Sequence, residues 1–255
     1  MNEMQPIAPA EPRAASEPVR ASPPAEWQWP AVHPEGMRFG GLFGLATILA
    51  FAAGWTALAW PLVALTAFTF LFFRDPLRVT PQGNDLLVAP ADGLVSQIED
   101  VPVPPELAGE GGLVQARALR VSIFLSVFDV HINRAPVAGK VTRLAYVEGK
   151  FLNASLDKAS ADNERQNLVI EMEDGTRVGV VQIAGLVARR ILTFVRKGEQ
   201  VAAGERFGLI RFGSRTDLYL PEGFVLQVAK GQRAVGGETV IARRGVPPLA
   251  GGPRS

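Results

Sequence analysis

Two patterns of apolar residues divide the chain. From Phe39 to Phe73 no charge interrupts a run rich in Leu, Ala, Phe and Trp, bracketed by Arg38 and Arg74. Such a run predicts a membrane segment, because a buried helix this long and uncharged would need an unusually large core around it. As one helix it would extend about 52 Å at 1.5 Å per residue, well beyond a hydrocarbon core of about 30 Å. Pro61 and the small residues around Gly54 suggest a break. The expectation is a membrane-embedded helical hairpin with both arginines on one side. Its second arm is short for a full crossing, so a re-entrant form stays open.

After Arg74-Asp75-Pro76 the apolar runs become short, β-branched and separated by Gly, Pro, Asn and Asp. Strands are predicted at Leu86–Val88, Arg120–Leu125, Val141–Val147, Leu168–Ile170, Val178–Ile183, Ile191–Val195, Phe224–Val228 and Thr239–Ile241. Two more strand-like runs meet at Gly213-Ser214 within Leu209–Pro221. With turn signals such as Asp174-Gly175, this spacing predicts a mainly β domain, a sandwich or barrel. Ala89-Pro90-Ala91-Asp92-Gly93 and the segment Arg196–Glu205 resemble the turns of biotinyl and lipoyl carrier domains, which are β hammerheads. The expected organisation is a Pro-rich disordered tail (1–36), a membrane-associated helical segment (37–75), a β domain (76–242) and a flexible end (243–255).

Composition narrows the chemistry. A formal charge of +1 over 255 residues does not suggest a nucleic-acid binder. The absence of Cys removes disulfides, thiol nucleophiles and thiolate metal sites. Two histidines, His33 and His131, are too few for a multi-histidine metal cluster, and no metal is expected. The apolar run starts too far from Met1, after a region that is not basic, for a signal peptide. Trp27 and Trp29 precede it where amphipathic rings rest at a membrane surface.

Gly213-Ser214 can serve as an ordinary turn, and it is also the minimum equipment for an N-to-O acyl shift. A glycine carbonyl has no side chain to shield it from the next residue's hydroxyl. The serine then needs a base, and the base an orienting carboxylate. His131 is the one histidine outside the Pro-rich tail and should emerge at a strand end, after the run Val121–Val127. Asp92 lies in an Asp-Gly turn, and Asp129, two residues from His131, is the competing carboxylate.

The apolar segment, Pro90-Ala91-Asp92-Gly93, Phe128-Asp129-Val130-His131-Ile132-Asn133-Arg134, Phe151-Leu152-Asn153-Ala154 with Asp162-Asn163-Glu164-Arg165, and Arg211-Phe212-Gly213-Ser214-Arg215 occur in this order. The combination, from about Phe39 to about Val240, resembles the short, membrane-associated form of phosphatidylserine decarboxylase. The long form has Leu-Gly-Ser-Thr at the cleavage point, and this chain has Phe212-Gly213-Ser214-Arg215 as short forms do.

The resemblance implies a proenzyme that cleaves itself into a β chain (1–213) and an α chain (214–255). Ser214 would attack Gly213 with His131 as base and Asp92 as its orienter. Elimination and loss of ammonia would turn Ser214 into a pyruvoyl group. That cofactor forms a Schiff base with the substrate amine and draws electrons from the carboxylate bond. Phosphatidylserine would become phosphatidylethanolamine and carbon dioxide, at the cell membrane, with the catalytic domain on the cytoplasmic side. Arg134, Arg165, Arg211 and Arg215 are available for phosphate or carboxylate, and Arg134, Arg165 and Arg215 are carried forward as substrate ligands. Three readings compete: a carrier domain modified at Lys158 in Asp157-Lys158-Ala159, a tethered structural β domain, and a serine hydrolase using Asp92, His131 and Ser214. All three leave the chain whole.

Overall fold

The computed structural model describes residues 28–149, 163–185, 190–211 and 214–247. Gly213, Phe212, the Phe151–Ala154 phrase and Lys158 lie outside the described residues. A short strand β1 (Ala31–Val32) leads into helix α1 (Pro34–Ala52), which is followed by α2 (Thr56–Phe72) and β2 (Arg74–Asp75). β1 pairs antiparallel with β2, closing the foot of a helical hairpin. The chain reverses at Gly54, whose φ of +74° is costly for any residue with a Cβ. Pro61 lies inside α2 rather than at the break. The helix also begins earlier than its uncharged run, because Pro34 is pre-organised for a first turn and His33 caps it by accepting from Glu35 N–H. Residues 31–36, assigned from the sequence to the tail, therefore form the hairpin's root.

Gly36, Gly40 and Gly44 recur every fourth residue, on one face of α1. A Cβ at Gly36 would lie 2.4 Å from Phe73 Cβ, and one at Gly40 would lie 2.6 Å from the Phe70 ring. This small-residue stripe lets the two helices approach closely. The outer faces carry Leu42, Leu45, Ile48, Leu49, Leu58 and Trp60, all exposed. Among the described residues no helix is long and apolar enough to cross a membrane. Within α1 the stretch free of charge runs only from Phe39 to Ala52, after Glu35 and Arg38. The expected helical hairpin is present, with arms of 19 and 17 residues.

The rest is β structure: β3 (Leu86–Val88), β4 (Gly93–Pro102), β5 (Arg117–Leu125), β6 (Ile132–Arg134), β7 (Gly139–Val147), β8 (Arg165–Glu171), β9 (Arg177–Ala184) and β10 (Ile191–Thr193). β11 (Gln200–Val201), β12 (Arg206–Ile210), β13 (Ser214–Leu220), β14 (Phe224–Leu226), β15 (Arg233–Ala234) and β16 (Val240–Arg244) complete it. Eight strands form one curled antiparallel sheet in the order β11-β7-β8-β9-β13-β5-β4-β15. Two three-stranded sheets, β10-β12-β6 and β14-β16-β3, accompany it. All eight predicted runs fall on strands. β4 and β6 were not anticipated, since β4 buries little beyond Gly93 and Val95 and β6 has three residues.

Strand alternation assigns the two faces of the large sheet. Val121, Ile123, Leu125, Leu168, Ile170, Val180 and Leu218 join Leu87, Phe207 and Ile241 in the main core. Val169, Val181, Ile183 and Tyr219 pack on the other face with Leu107 and Leu113. Each fully buried Leu, Ile or Val contributes about 1.5–3 kcal/mol. β13 is central, paired to β5 on one side and β9 on the other, and every residue in it is buried.

Candidate active site

Ser214 opens β13, opposite Leu125 at the end of β5 and Ala184 at the end of β9. From Leu125 the chain runs through a turn, Ser126–Val130, to His131 just before β6. β6 pairs with β12, and Ile210 N–H donates to the His131 carbonyl at 3.2 Å. Four residues then lead from Ile210 to Ser214, a stretch that reaches no further than about 14 Å. Two short connections thus hold Ser214 and His131 at one end of the β domain. A third link is direct: Asn133 Nδ2 donates to Thr216 Oγ1 at 3.3 Å, two residues beyond each.

Both site residues are fully buried. Ser214 Oγ has no hydrogen-bond partner among the described residues, a costly state for a hydroxyl away from water. His131 Nδ1 lies 2.9 Å from the main-chain carbonyl of Asp129. A carbonyl can only accept, so Nδ1 carries the hydrogen and Nε2 the lone pair. Burial lowers the imidazole pKa from 6.5 to about 4, so the ring is neutral at pH 7 and able to take a proton. Its face packs on Phe72 of the hairpin, with ring centroids 4.2 Å apart.

Asp92 is placed differently from its expected role as orienter. Its Oδ2 accepts from Arg78 Nη2 at 2.7 Å and its Oδ1 from Gly236 N–H at 2.7 Å. Burial pushes its pKa up, against the pull of Arg78 and the Gly236 N–H. The contact that orients His131 comes instead from Asp129. Gly93 after Asp92 is required on steric grounds: φ is +152° and a Cβ would lie 2.2 Å from the Phe124 carbonyl oxygen.

The arginines carried forward as ligands are occupied. Arg134 donates to Gly204 O, Asp75 and Pro76 O, and is buried. Arg165 pairs with Glu106 at 2.6 Å. Arg215 is 1% exposed and forms a two-pronged pair with Asp217, at 2.8 Å for each bond. It shares a strand face with Asp217, opposite to that of Ser214. Arg211 pairs with Glu35 and lies over the Phe39 ring, 5.4 Å from its centroid.

Sequence reasoning missed the contribution of the hairpin. Phe72, Phe73, Val130, Ile132 and Leu209 form one small core at its foot. Arg74 donates to the Leu71 and Phe128 carbonyls, and Phe68 meets the Phe128 ring edge-on. It also missed a buried amide network in which Gln182 Nε2 donates to Asn133 Oδ1 at 2.7 Å. Gly208 leaves room for this amide, since a Cβ there would lie 2.7 Å from Gln182 Nε2. The one advance sign was parity, which puts Thr216 on the face of Ser214.

Comparison with known proteins gives the family. A profile of the family described as phosphatidylserine decarboxylase matches residues 65–242. The chain is 55% identical over 226 residues to a phosphatidylserine decarboxylase proenzyme of Erythrobacter litoralis, covering 87% of this chain and 91% of the relative. It is 52% identical over 233 residues to the proenzyme of that name in Novosphingobium aromaticivorans, covering 89% and 92%. A third, from Zymomonas mobilis, is 52% identical over 227 residues, covering 88% and 92%. Asp92, His131 and Ser214 all fall within the matched profile, and the chain belongs to the phosphatidylserine decarboxylase family.

Proposed function

We propose that this chain is a proenzyme that cuts itself between Gly213 and Ser214 and then, as two associated chains, decarboxylates phosphatidylserine to phosphatidylethanolamine. The observation that carries the reading is the Ser214 hydroxyl, buried and without a hydrogen-bond partner among the described residues, at the same end of the domain as a neutral histidine that packs on the apolar hairpin. In the reading, His131 Nε2 takes the Ser214 proton as Oγ attacks the Gly213 carbonyl and passes it to the Ser214 nitrogen as the carbon–nitrogen bond between the two residues breaks, so the amide becomes an ester. Elimination of that ester and hydrolysis release ammonia. Burial favours the acyl shift, because Oγ is shielded from bulk solvent and the base is held uncharged.

The site fits the cofactor that results. Ser214 lies on a fully buried strand paired on both sides, so a group made from it would be fixed in place and shielded from water. A pyruvoyl group there supplies a ketone for the substrate amine and an electron sink for the breaking carbon–carboxylate bond. Replacing the lost carboxylate by hydrogen consumes one proton, which His131, neutral at rest, would relay from solvent to the carbon that loses carbon dioxide. Cleavage leaves β13 at the start of the small chain, held between β5 and β9 of the large one, which supports a lasting heterodimer.

The membrane reading belongs here too. The hairpin's exposed Leu, Ile and Trp residues form a surface that water does not favour, and its foot packs against the His131 ring. A hairpin entering the bilayer would set the site at the headgroup level, where a lipid amine can reach it. Arg38 and Arg74 at the foot favour the cytoplasmic face of the cell membrane.

Intact mass of the denatured protein tests the central step. Two chains are expected, split after Gly213, the smaller lighter by one ammonia than hydrolysis alone would leave it. Ser214→Ala should remain a single inactive chain. A whole, unmodified wild-type chain with decarboxylase activity would overturn the reading.

A further inference from the structure

Asp92 is committed to Arg78 and the Gly236 N–H, which leaves open what holds the imidazole. The answer lies in the turn that precedes it. Asp129 N–H donates to Ser126 O at 2.9 Å, and Asp129 Oδ2 accepts from Ser126 N–H at 2.8 Å. The side chain and main chain of one residue therefore close the same turn from both sides. Asp129 Oδ1 pairs with Arg233 of β15, and Arg74 Nη2 grips the neighbouring Phe128 carbonyl at 2.7 Å. The closed turn leaves the Asp129 carbonyl 2.9 Å from His131 Nδ1.

We propose that Asp129 is a positioning residue: its carboxylate folds the Ser126–Val130 turn so that its own carbonyl fixes His131 in the Nδ1–H tautomer. It rests on the reading of His131 as the base of this site. In a conventional arrangement the orienting carboxylate touches the imidazole and stabilises its cation. Here a neutral carbonyl does the touching and the carboxylate acts one step behind. Such a contact selects the tautomer without supplying a full negative charge to hold a proton on the ring. It suits a histidine that must give its proton up again.

The test separates position from charge. Asp129→Ala removes the acceptor of the Ser126 N–H, whereas Asp129→Asn keeps an oxygen there and loses the charge and the acceptor toward the exposed Arg233. Nitrogen-15 NMR reads the tautomer directly, and with two histidines in the chain a His33→Gln background leaves one imidazole, with its two ring-nitrogen signals. Asp129→Ala is expected to mix the tautomers, slow self-processing about tenfold and lower kcat similarly with KM changed less than about twofold. Asp129→Asn should stay within about threefold of wild type in both steps, with the tautomer kept. Should Asp129→Ala fail to fold, Ser126→Pro, which removes the main-chain N–H that the Asp129 carboxylate accepts from and leaves the carboxylate in place, makes the same test, with a tautomer shift and about threefold slower processing expected. An unchanged tautomer in whichever of these two variants folds would overturn the proposal. So would Asp129→Asn as inactive as Asp129→Ala, which would mean that the charge itself acts. His131→Gln guards the underlying reading: if that variant processes and turns over normally, His131 is not the base, whatever its tautomer.

Discussion

Ser214 and Arg215 are adjacent in sequence and face opposite ways, and the alternation of a strand accounts for both roles. Ser214 and Thr216 face Asn133, while Arg215 and Asp217 form a buried ion pair on the reverse side, with Arg120 4.0 Å from Asp217. A slip of one residue in β13 would push Arg215 into the main core and carry Ser214 away from the site. The pair therefore helps to lock the register that places the reacting hydroxyl. Because removing one partner strands a buried charge, Asp217→Ala should cost about 3–5 kcal/mol, measurable by urea unfolding of Ser214→Ala chains. Replacing both Arg215 and Asp217 by Leu should cost less than Asp217→Ala alone. Arg215 looked like a headgroup ligand because residue type carries no direction, whereas the polar Ser-Arg-Thr-Asp alternation already implied two faces.

At the scale of elements, the hairpin was legible as two apolar arms, and its attachment was not. A run free of charge announces helices and a break, but it cannot announce that Phe72 will meet His131 or that Glu35 will pair with Arg211. Those contacts join segments far apart in sequence. The same holds for Asp92, whose turn was recognised and whose partner, Gly236, lies on a distant loop. Strands with a fully apolar face were foreseen, and β6, short and carrying Asn133 and Arg134, was hidden by its polar content. Gly36 tests the attachment. Gly36→Ala places a methyl against Phe73 Cβ and Val32 and should cost about 1–3 kcal/mol and lower activity on lipid vesicles. Gly41→Ala, with nothing within 4 Å of its Cβ, should leave activity unchanged and stabilise α1 by about 0.5–1 kcal/mol. Thermal melts and vesicle assays on the two variants decide whether the hairpin foot shapes the site.

Across the whole molecule the sheets, the hairpin foot and the Ser126–Val130 turn converge on one buried imidazole, and this makes global stability respond to pH. His131 has a pKa of about 4 in the fold against 6.5 as a free side chain, because burial disfavours the cation. Between those values the unfolded chain binds the proton that the native chain refuses, so stability rises with pH through this window. The contribution is complete above about pH 6.5 and fades as pH falls toward 4, and the full shift corresponds to roughly 3 kcal/mol. Asp92 works in the opposite sense at the acid end, since its raised pKa keeps a proton on the native carboxyl after the unfolded one has lost it. Unfolding free energies at pH 7.5 and pH 5 should therefore differ in the Ser214→Ala chain, where cleavage does not complicate the comparison. Adding His131→Phe should remove most of that difference while keeping a ring against Phe72. An equal pH dependence with and without the imidazole would show that His131 keeps an ordinary affinity for protons in the fold, and would remove the reason to regard it as a neutral base at pH 7.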